Sequence, residues 1–290
     1  MRRCTQALLV VALVAPPSAA DQPRLSNGRL EALGAGAGLE AAARPLVRAA
    51  TAPAWIGWSV AADRERQMCC WGSSRDGACC SGCRLEGTGN FIASTSDRPG
   101  VIKLEAGREM LVLMRAEAGE ITKIRTFSPE CALDAGGTTL HWLDGVRPVD
   151  SVRFLAGLLD DGSRAARRLA DQALSALAFH AEPAATDILI DSARRAETVQ
   201  LRGQALFWLA QRAGEKAVQT IARAMNEDPE TEVKKKAVFA LSQLPKQQGV
   251  PLLIQAARTN KNAAVRKQAF FWLGQSKDER ALAFFEEVLR

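Results

Sequence analysis

The sequence predicts an α+β protein with two domains: a small antiparallel sheet domain rich in cysteine, followed by an all-α solenoid of helix pairs. Three observations carry this prediction. A repeat with a period of 32 residues runs through the second half, apolar residues alternate with a period of two in the first half, and six cysteines lie between residues 69 and 131. The chain of 290 residues is long enough for two domains, and 47% hydrophobic with 24% charged residues is typical of a folded protein.

The repeat is the strongest signal in the chain. Four segments, Leu169–Leu177, Leu201–Leu209, Val233–Leu241 and Val265–Leu273, align without gaps. Their apolar positions fall at offsets of 0, 4, 5 and 8, which share one face of a helix. The columns are Leu169, Leu201, Val233 and Val265; Ala173, Ala205, Ala237 and Ala269; Leu174, Leu206, Val238 and Phe270; and Leu177, Leu209, Leu241 and Leu273. The invariant alanine column predicts close approach of a partner helix.

A second helix follows each first helix, with Leu189, Ile221, Leu253 and Phe285 as its aligned buried column. Pro183, Gly214 and Gly249 are expected at tight corners between helices. A segment from Asp150 to Asp160 predicts one more amphipathic helix, which caps the first repeat. Because a single helix pair cannot bury its apolar face alone, the stacked pairs of residues 151–290 predict a solenoid domain.

The pattern apolar-[Arg/Lys]-x-x-Ala-apolar-x-x-Leu in paired helices resembles HEAT repeats, and the short period is similar to the HEAT-like repeats of phycobilisome lyases. Arg202, Lys234 and Arg266 match the basic position, and Ala170 departs from it. With its expected leader and cysteines, the whole chain resembles exported bacterial HEAT-repeat proteins that are otherwise uncharacterised. The resemblance implies a fold used by many binding proteins and brings no specific activity.

Deoxyhypusine hydroxylase also resembles this fold, and it binds two irons through paired His-Glu motifs. The repeats contain only His180, which is followed by Ala181, so the resemblance does not extend to that metal centre. We interpret His180 as a turn residue. No catalytic group and no metal ligand is assigned, and no cofactor is expected.

Aromatic residues recur in two neighbouring columns of the first helices: Phe207, Phe239 and Phe271, and Trp208 and Trp272. One interpretation makes them a docking surface for a partner, because aromatic side chains dominate binding hot spots. The alternative places them in the packing between repeats, where aromatics at helical spacing usually lie.

Residues 21–150 change to a period of two. Strands are predicted over residues 55–60, 101–104, 109–115, 121–127 and 138–142, with a hairpin around Gly119 and an Ala-rich helix over Leu39–Ala50. Gly34, Gly36 and Gly38 are interpreted as a flexible break before that helix.

The disulfide candidates are Cys69, Cys70, Cys79, Cys80, Cys83 and Cys131. An even number of cysteines in an exported domain favours a disulfide framework. We expect Cys69 and Cys70 to pair across the loop of residues 72–82 or with Cys131. The alternative is metal or redox chemistry at this cluster, since Cys80 and Cys83 have the spacing of a CxxC motif.

Residues 1–20 predict a signal peptide: Arg2 and Arg3 precede an apolar run, and Ser18-Ala19-Ala20 suits cleavage after Ala20. The remaining chain is then exported, periplasmic or secreted, without membrane insertion. Its modest charge surplus, +6 for the full sequence, does not favour nucleic acid. The sequence therefore favours a binding scaffold for another protein over an enzyme. The alternative function is an oxidoreductase, a lyase-like enzyme or a metalloprotein centred on the cysteines.

Overall fold

The computed structural model describes residues 22–66, 68, 78–79, 83–86, 102–103, 107–159, 162–212 and 214–290. The strands are β1 (Leu25–Ser26), β2 (Arg29–Gly34), β3 (Ala54–Arg66), β4 (Ala78–Cys79), β5 (Cys83–Arg84), β6 (Ile102–Lys103), β7 (Gly107–Glu117), β8 (Glu120–Phe127), β9 (Leu133–Asp134) and β10 (Thr139–Asp144). The helices are α1 (Leu39–Ala49), α2 (Pro148–Ala156), α3 (Arg164–Phe179), α4 (Pro183–Arg195), α5 (Val199–Arg212), α6 (Glu215–Glu227), α7 (Thr231–Gln243), α8 (Lys246–Thr259), α9 (Ala263–Gln275) and α10 (Glu279–Val288). The expected signal peptide and Cys69, Cys70 and Cys80 lie outside the described residues.

Five strands form a mixed sheet in the order β2–β10–β3–β7–β8. β10 runs parallel to both β2 and β3, whereas β3, β7 and β8 are antiparallel. The prediction of an antiparallel sheet is therefore wrong for half of it. The missing element was β2, a largely exposed strand without clear alternation, whose last residue Gly34 was interpreted as part of a flexible break. Because α1 connects β2 to β3 as a crossover, the two strands point the same way and β10 fits between them.

The predicted hairpin joins β7 to β8 and is confirmed. Ala118 and Gly119 form its loop, with φ of 51° and 78°, and Glu117 pairs with Glu120. Positive φ at both loop residues gives the turn a twist that matches the strands, and Gly119 adopts it without a steric penalty.

Both faces of the sheet are covered, which explains the unbroken apolar run of β7. Met110, Val112 and Met114 belong to the core shared with the helices, whereas Leu111 and Leu113 face a second core. Alternate residues of a strand point to opposite faces, so a strand buried on both sides is apolar throughout.

The second core lies beneath the small sheet β1–β9–β5, where the structure pairs Cys83 with Cys131. Their Cα atoms are 5.9 Å apart and both residues are buried. Cys131 therefore does not pair with Cys69 or Cys70, as one of our expectations had it. The parallel ladder of β5 on β9 brings Cys83 level with Leu133, two residues from Cys131, and sequence spacing alone could not show this contact.

The helices α3 to α10 form four antiparallel pairs. The alanine column is fully buried in all four first helices, and Leu177, Leu209, Leu241 and Leu273 are buried beside it. Small side chains at this column let the second helix of each pair approach closely. The predicted solenoid of helix pairs is confirmed.

Two details of the repeats differ from expectation. Gly249 lies inside α8 and not at a corner. Glycine is required there because a Cβ would come within 2.3 Å of the Leu241 carbonyl oxygen on α7. In the last pair Phe284 is buried, whereas the aligned Phe285 is only partly buried.

The sheet and the solenoid share one apolar core across residue 150, the boundary expected between the domains, which falls within α2. The Trp58 indole N–H donates to Ser151 Oγ at 2.9 Å. At the sheet edge, the Ile124 backbone N–H donates to Gln172 Oε1 of α3 at 2.7 Å. The cap on the first repeat therefore comprises α2 and, in addition, strand β8.

Because of the close contact at Gly249, we expect its substitution by alanine to destabilise the protein, whereas the same substitution usually stabilises a helix. Gly→Ala inside a helix ordinarily stabilises it by up to about 1 kcal/mol. Gly249→Ala should instead lower the free energy of unfolding by about 1–3 kcal/mol, since the added methyl meets backbone.

The matched control is Gly274→Ala in α9, where nothing lies within 4 Å of the added Cβ and stability should rise slightly. Urea unfolding of the two variants measures both effects. Equal stabilisation by the two substitutions would contradict the close approach of α7 and α8.

Candidate partner-binding surface

The first helices α3, α5, α7 and α9 pack side by side along the solenoid, and they contact one another more extensively than the second helices do. Closer spacing on one side of a stack of helix pairs bends the stack toward that side. We infer from this closer spacing that the first helices form the concave layer of the solenoid, where an extended ligand can touch several repeats at once.

The five aromatic side chains predicted from the sequence lie on this layer and form a continuous row. Phe207 stacks on Phe239 with ring centroids 5.9 Å apart, Phe239 contacts Trp272 at 5.1 Å, and Trp272 contacts Phe271 at 5.0 Å. At the other end Trp208 contacts Phe207 at 5.0 Å. We call these five residues the aromatic row.

The aromatic row is partly accessible, so it matches neither sequence interpretation alone. Phe207, Trp208, Phe239 and Trp272 are half-buried between neighbouring helices, whereas Phe271 is 54% exposed. The rings therefore pack repeat on repeat and also present edges to solvent. The extent of exposure increases toward α9.

The two indoles of the row differ in their hydrogen bonds. Trp208 Nε1 donates to Asp171 Oδ1 at 3.2 Å. Burial raises the pKa of the Asp171 carboxyl, although the bond from Trp208 opposes this effect. Trp272 Nε1 is buried and has no hydrogen-bond acceptor among the described residues.

Charge is distributed unevenly between the two layers of the solenoid. The four first helices contain ten Lys or Arg residues and two acidic residues, whereas the four second helices contain seven of each. The aromatic row therefore lies on the positively charged layer, an asymmetry that the net charge of the full sequence does not show.

Lysines accompany the row at helical spacing. Lys235 precedes Phe239 by four residues and Lys267 precedes Phe271 by four, so each lysine lies one turn away on the same face. Lys235 pairs with Glu232 at 2.9 Å, and Lys267 is exposed. This spacing of lysine and aromatic residues is visible in the sequence and could have predicted a positively charged aromatic surface.

The basic column of the repeats has a structural role in two of its three members. Arg202 forms a buried ion pair with Asp228 at 3.1 Å and also donates to the Ala196 and Glu197 carbonyls. Arg266 donates to the Asn260 carbonyl at 2.8 Å. These guanidinium groups satisfy carbonyls of the loops between repeats, so they belong to the scaffold and not to the docking surface.

The cysteine cluster is only partly described, and its described members serve structure. Close to Cys83, Glu86 accepts hydrogen bonds from Arg115 at 2.8 Å and from Trp55 at 2.9 Å. Partial burial opposes ionisation of Glu86, but these bonds keep its pKa below the usual value. The Cys83–Cys131 pair and this charge cluster fasten the segment of residues 83–86 to the sheet.

His180 ends α3 and forms a bridge with Ala62 of β3. Its Nδ1 accepts a hydrogen bond from the Glu182 backbone N–H at 3.1 Å. Burial, with a smaller effect of Arg212, lowers the His180 pKa to about 4, so the ring is neutral at pH 7. The side chain fits the interpretation of a turn residue.

The residues that the structure describes contain no group of three or more His, Cys, Asp or Glu side chains that could hold a metal ion. Among the same residues, no helix combines the length and apolar character needed to cross a bilayer.

Comparison with known proteins identifies the repeats. Residues 218–290 match the family model for HEAT repeats, which is the C-terminal part of the solenoid. No curated protein matches the chain in sequence.

Solved structures with similar folds include human deoxyhypusine hydroxylase in complex with glycerol, at 24% identity over 47% of this chain and 43% of that one, with a TM-score of 0.34. The complex of CpcE and CpcF of phycocyanin lyase from Nostoc sp. PCC7120 is 16% identical over 49% of this chain and 89% of that one, with a TM-score of 0.37. The Escherichia coli protein YibA is 24% identical over 49% of this chain and 54% of that one, with a TM-score of 0.34. The chain thus spans less than half of the human hydroxylase and about half of YibA.

The graded exposure of the aromatic row predicts unequal costs of truncation. Phe239→Ala removes a half-buried ring packed between two others and should lower the free energy of unfolding by about 2–3 kcal/mol. Phe271→Ala removes an exposed ring and should cost less than about 1 kcal/mol. Urea unfolding curves of the two variants measure the difference, and equal costs would contradict the described exposure.

Proposed function

We propose that this HEAT-repeat chain is an exported scaffold that binds an acidic segment of another protein along its concave surface. The single observation that carries the proposal is the accessible aromatic row lying on the positively charged layer of first helices. HEAT repeats are in general protein-interaction scaffolds, which supports a protein partner.

The row supplies the apolar part of the binding energy. Aromatic rings provide large contact areas with few rotatable bonds, and those of the row are already held in place by their neighbours. Phe271 and its contact Trp272 form the most accessible point of the row, so an apolar partner residue can anchor there.

The charge asymmetry selects the sign of the partner. Lys235, Lys236 and Lys267 lie on the first helices near the rings, and no acidic residue occurs in α5 or α9. An acidic segment would be attracted to this layer and oriented along it, more strongly at low salt. Asp171 and Glu232 on α3 and α7 interrupt the positive surface, which suits a protein with mixed side chains better than the uniform charge of a nucleic acid.

The test uses a fluorescein-labelled peptide of fifteen residues, rich in Glu and carrying two Leu residues, with the full mature chain. Binding should be saturable and weaken as salt rises. Phe271→Ala and Lys267→Glu should each weaken it at least about fivefold, which corresponds to the loss of about 1 kcal/mol. Fluorescence anisotropy measures the affinity, and the unfolding free energy of each variant shows that it remains folded.

Two matched controls lie on second helices. Leu282→Ala removes an exposed apolar side chain from α10, and Lys216→Glu reverses an exposed lysine on α6. Neither should change the affinity. Equal weakening by the controls, equal binding of a Lys-for-Glu peptide, or tighter binding of a single-stranded oligonucleotide would refute the proposal.

Export is the second part of the proposal, and it is supported by the leader-like residues 1–20 and by the buried Cys83–Cys131 pair. Intact mass of the protein from its native compartment should show cleavage after Ala20. If all six remaining cysteines are paired, the mass is lower by about six hydrogens and no thiol reacts with iodoacetamide. Retention of residues 1–20, or free thiols with bound zinc or iron, would contradict it.

A further inference from the structure

A cavity of about 560 Å³ lies between repeats, and no residue of the aromatic row lines it. Helices α6, α7 and α8 and the loop before α9 form it, and both polar and apolar side chains line it. The lining residues are Met225, Asn226, Lys234, Gln255, Ala256, Thr259, Asn260, Lys261 and Asn262. Its size falls within the range of small-molecule sites.

The repeat symmetry shows why a cavity exists at this place. Lys234 stands 32 residues after Arg202, and Asn260 stands 32 residues after Asp228. In the preceding repeat Arg202 and Asp228 form a buried ion pair, with side chains 11% and 7% exposed. Here the carboxylate is replaced by an amide and the guanidinium by an amine, so the repeat loses its internal anion.

Lys234 consequently differs from the other members of its column. Arg202 and Arg266 are held by loop carbonyls, whereas the Lys234 ammonium has no hydrogen bond or ion pair with any described residue. The same holds for the Lys261 ammonium in the same lining. Two positive charges thus face one cavity without an acidic side chain among its lining residues.

The amides around the lysines are already ordered. Asn260 Nδ2 donates to Asn226 Oδ1 at 2.9 Å, and Asn260 Oδ1 accepts from the Asn262 backbone N–H at 2.9 Å. These bonds hold the loop against α6 before any ligand arrives. Preorganised polar groups beside unneutralised ammonium groups are the ordinary chemistry of an anion site.

We propose that this cavity binds a small anion, a carboxylate or phosphate group, which neutralises Lys234 as Asp228 neutralises Arg202 in the preceding repeat. Met225 and Ala256 supply apolar contacts for the remainder of such a ligand. This site is distinct from the aromatic row, since none of the five row residues lines it.

Isothermal titration of the full mature chain with inorganic phosphate, and separately with succinate, tests the proposal at constant ionic strength set with chloride. At least one of the two should bind saturably, and the tighter one identifies the group. Lys234→Met should weaken binding at least about tenfold, and Lys234→Arg should retain it.

Asn260→Asp provides the sharper test, because it restores the acidic partner that the preceding repeat has at Asp228. An internal carboxylate should neutralise Lys234 in place of the ligand and abolish binding while the protein stays folded by its thermal unfolding curve. Lys216→Met on α6, an exposed lysine that does not line the cavity, is the matched control and should leave binding unchanged. Absence of saturable binding by both anions, or unchanged binding in both Lys234→Met and Asn260→Asp, would overturn the proposal.

Discussion

The column of four buried alanines is the constraint on which the rest of the solenoid depends. Ala173, Ala205, Ala237 and Ala269 have no side chain beyond Cβ, so each first helix can lie close to its partner and to the next repeat. That spacing fixes which residues of a first helix face inward. Positions two and three residues after the alanine, which hold the aromatic row, come to the rim of the packed layer and stay partly accessible.

Close stacking buries the faces between repeats, so the outer face of the first helix pair must be covered by other elements. At this end, α2 and strand β8 of the sheet cover α3. Gln172 accepts a hydrogen bond from the Ile124 backbone N–H at the edge of the sheet, which would otherwise be buried without an acceptor. This joins the sheet and the repeats into one apolar core. The junction leaves the concave layer open from α5 to α9, where the lysines and the most exposed ring lie.

Much of the solenoid could be predicted because its signals are periodic and local. The spacing of 32, the alanine column and the buried leucines each repeat four times, so one misread residue does not alter the pattern. The role of Gly249 was predicted wrongly because glycine is typical both of corners between helices and of close helix contacts. Only the position of the Leu241 carbonyl oxygen decides between the two. The parallel strands β2 and β10 and the Cys83–Cys131 contact join residues distant in sequence, which periodicity does not report. At the candidate surface the aromatic columns could be predicted from the sequence. The cavity beside Lys234 could not, because it becomes evident only when the side-chain partners of Lys234 and Arg202 are compared.

The positive charge of the first helices should direct an acidic partner to this layer and not to the sheet. NMR of the indole N–H groups tests it directly, because the tryptophans are divided between the two regions. On addition of the Glu-rich peptide, the signals of Trp208 and Trp272 should shift, whereas those of Trp55, Trp58 and Trp142, buried in the sheet, should remain in place. Shifts confined to the sheet tryptophans, or no shift of Trp272 at saturating peptide, would contradict the account.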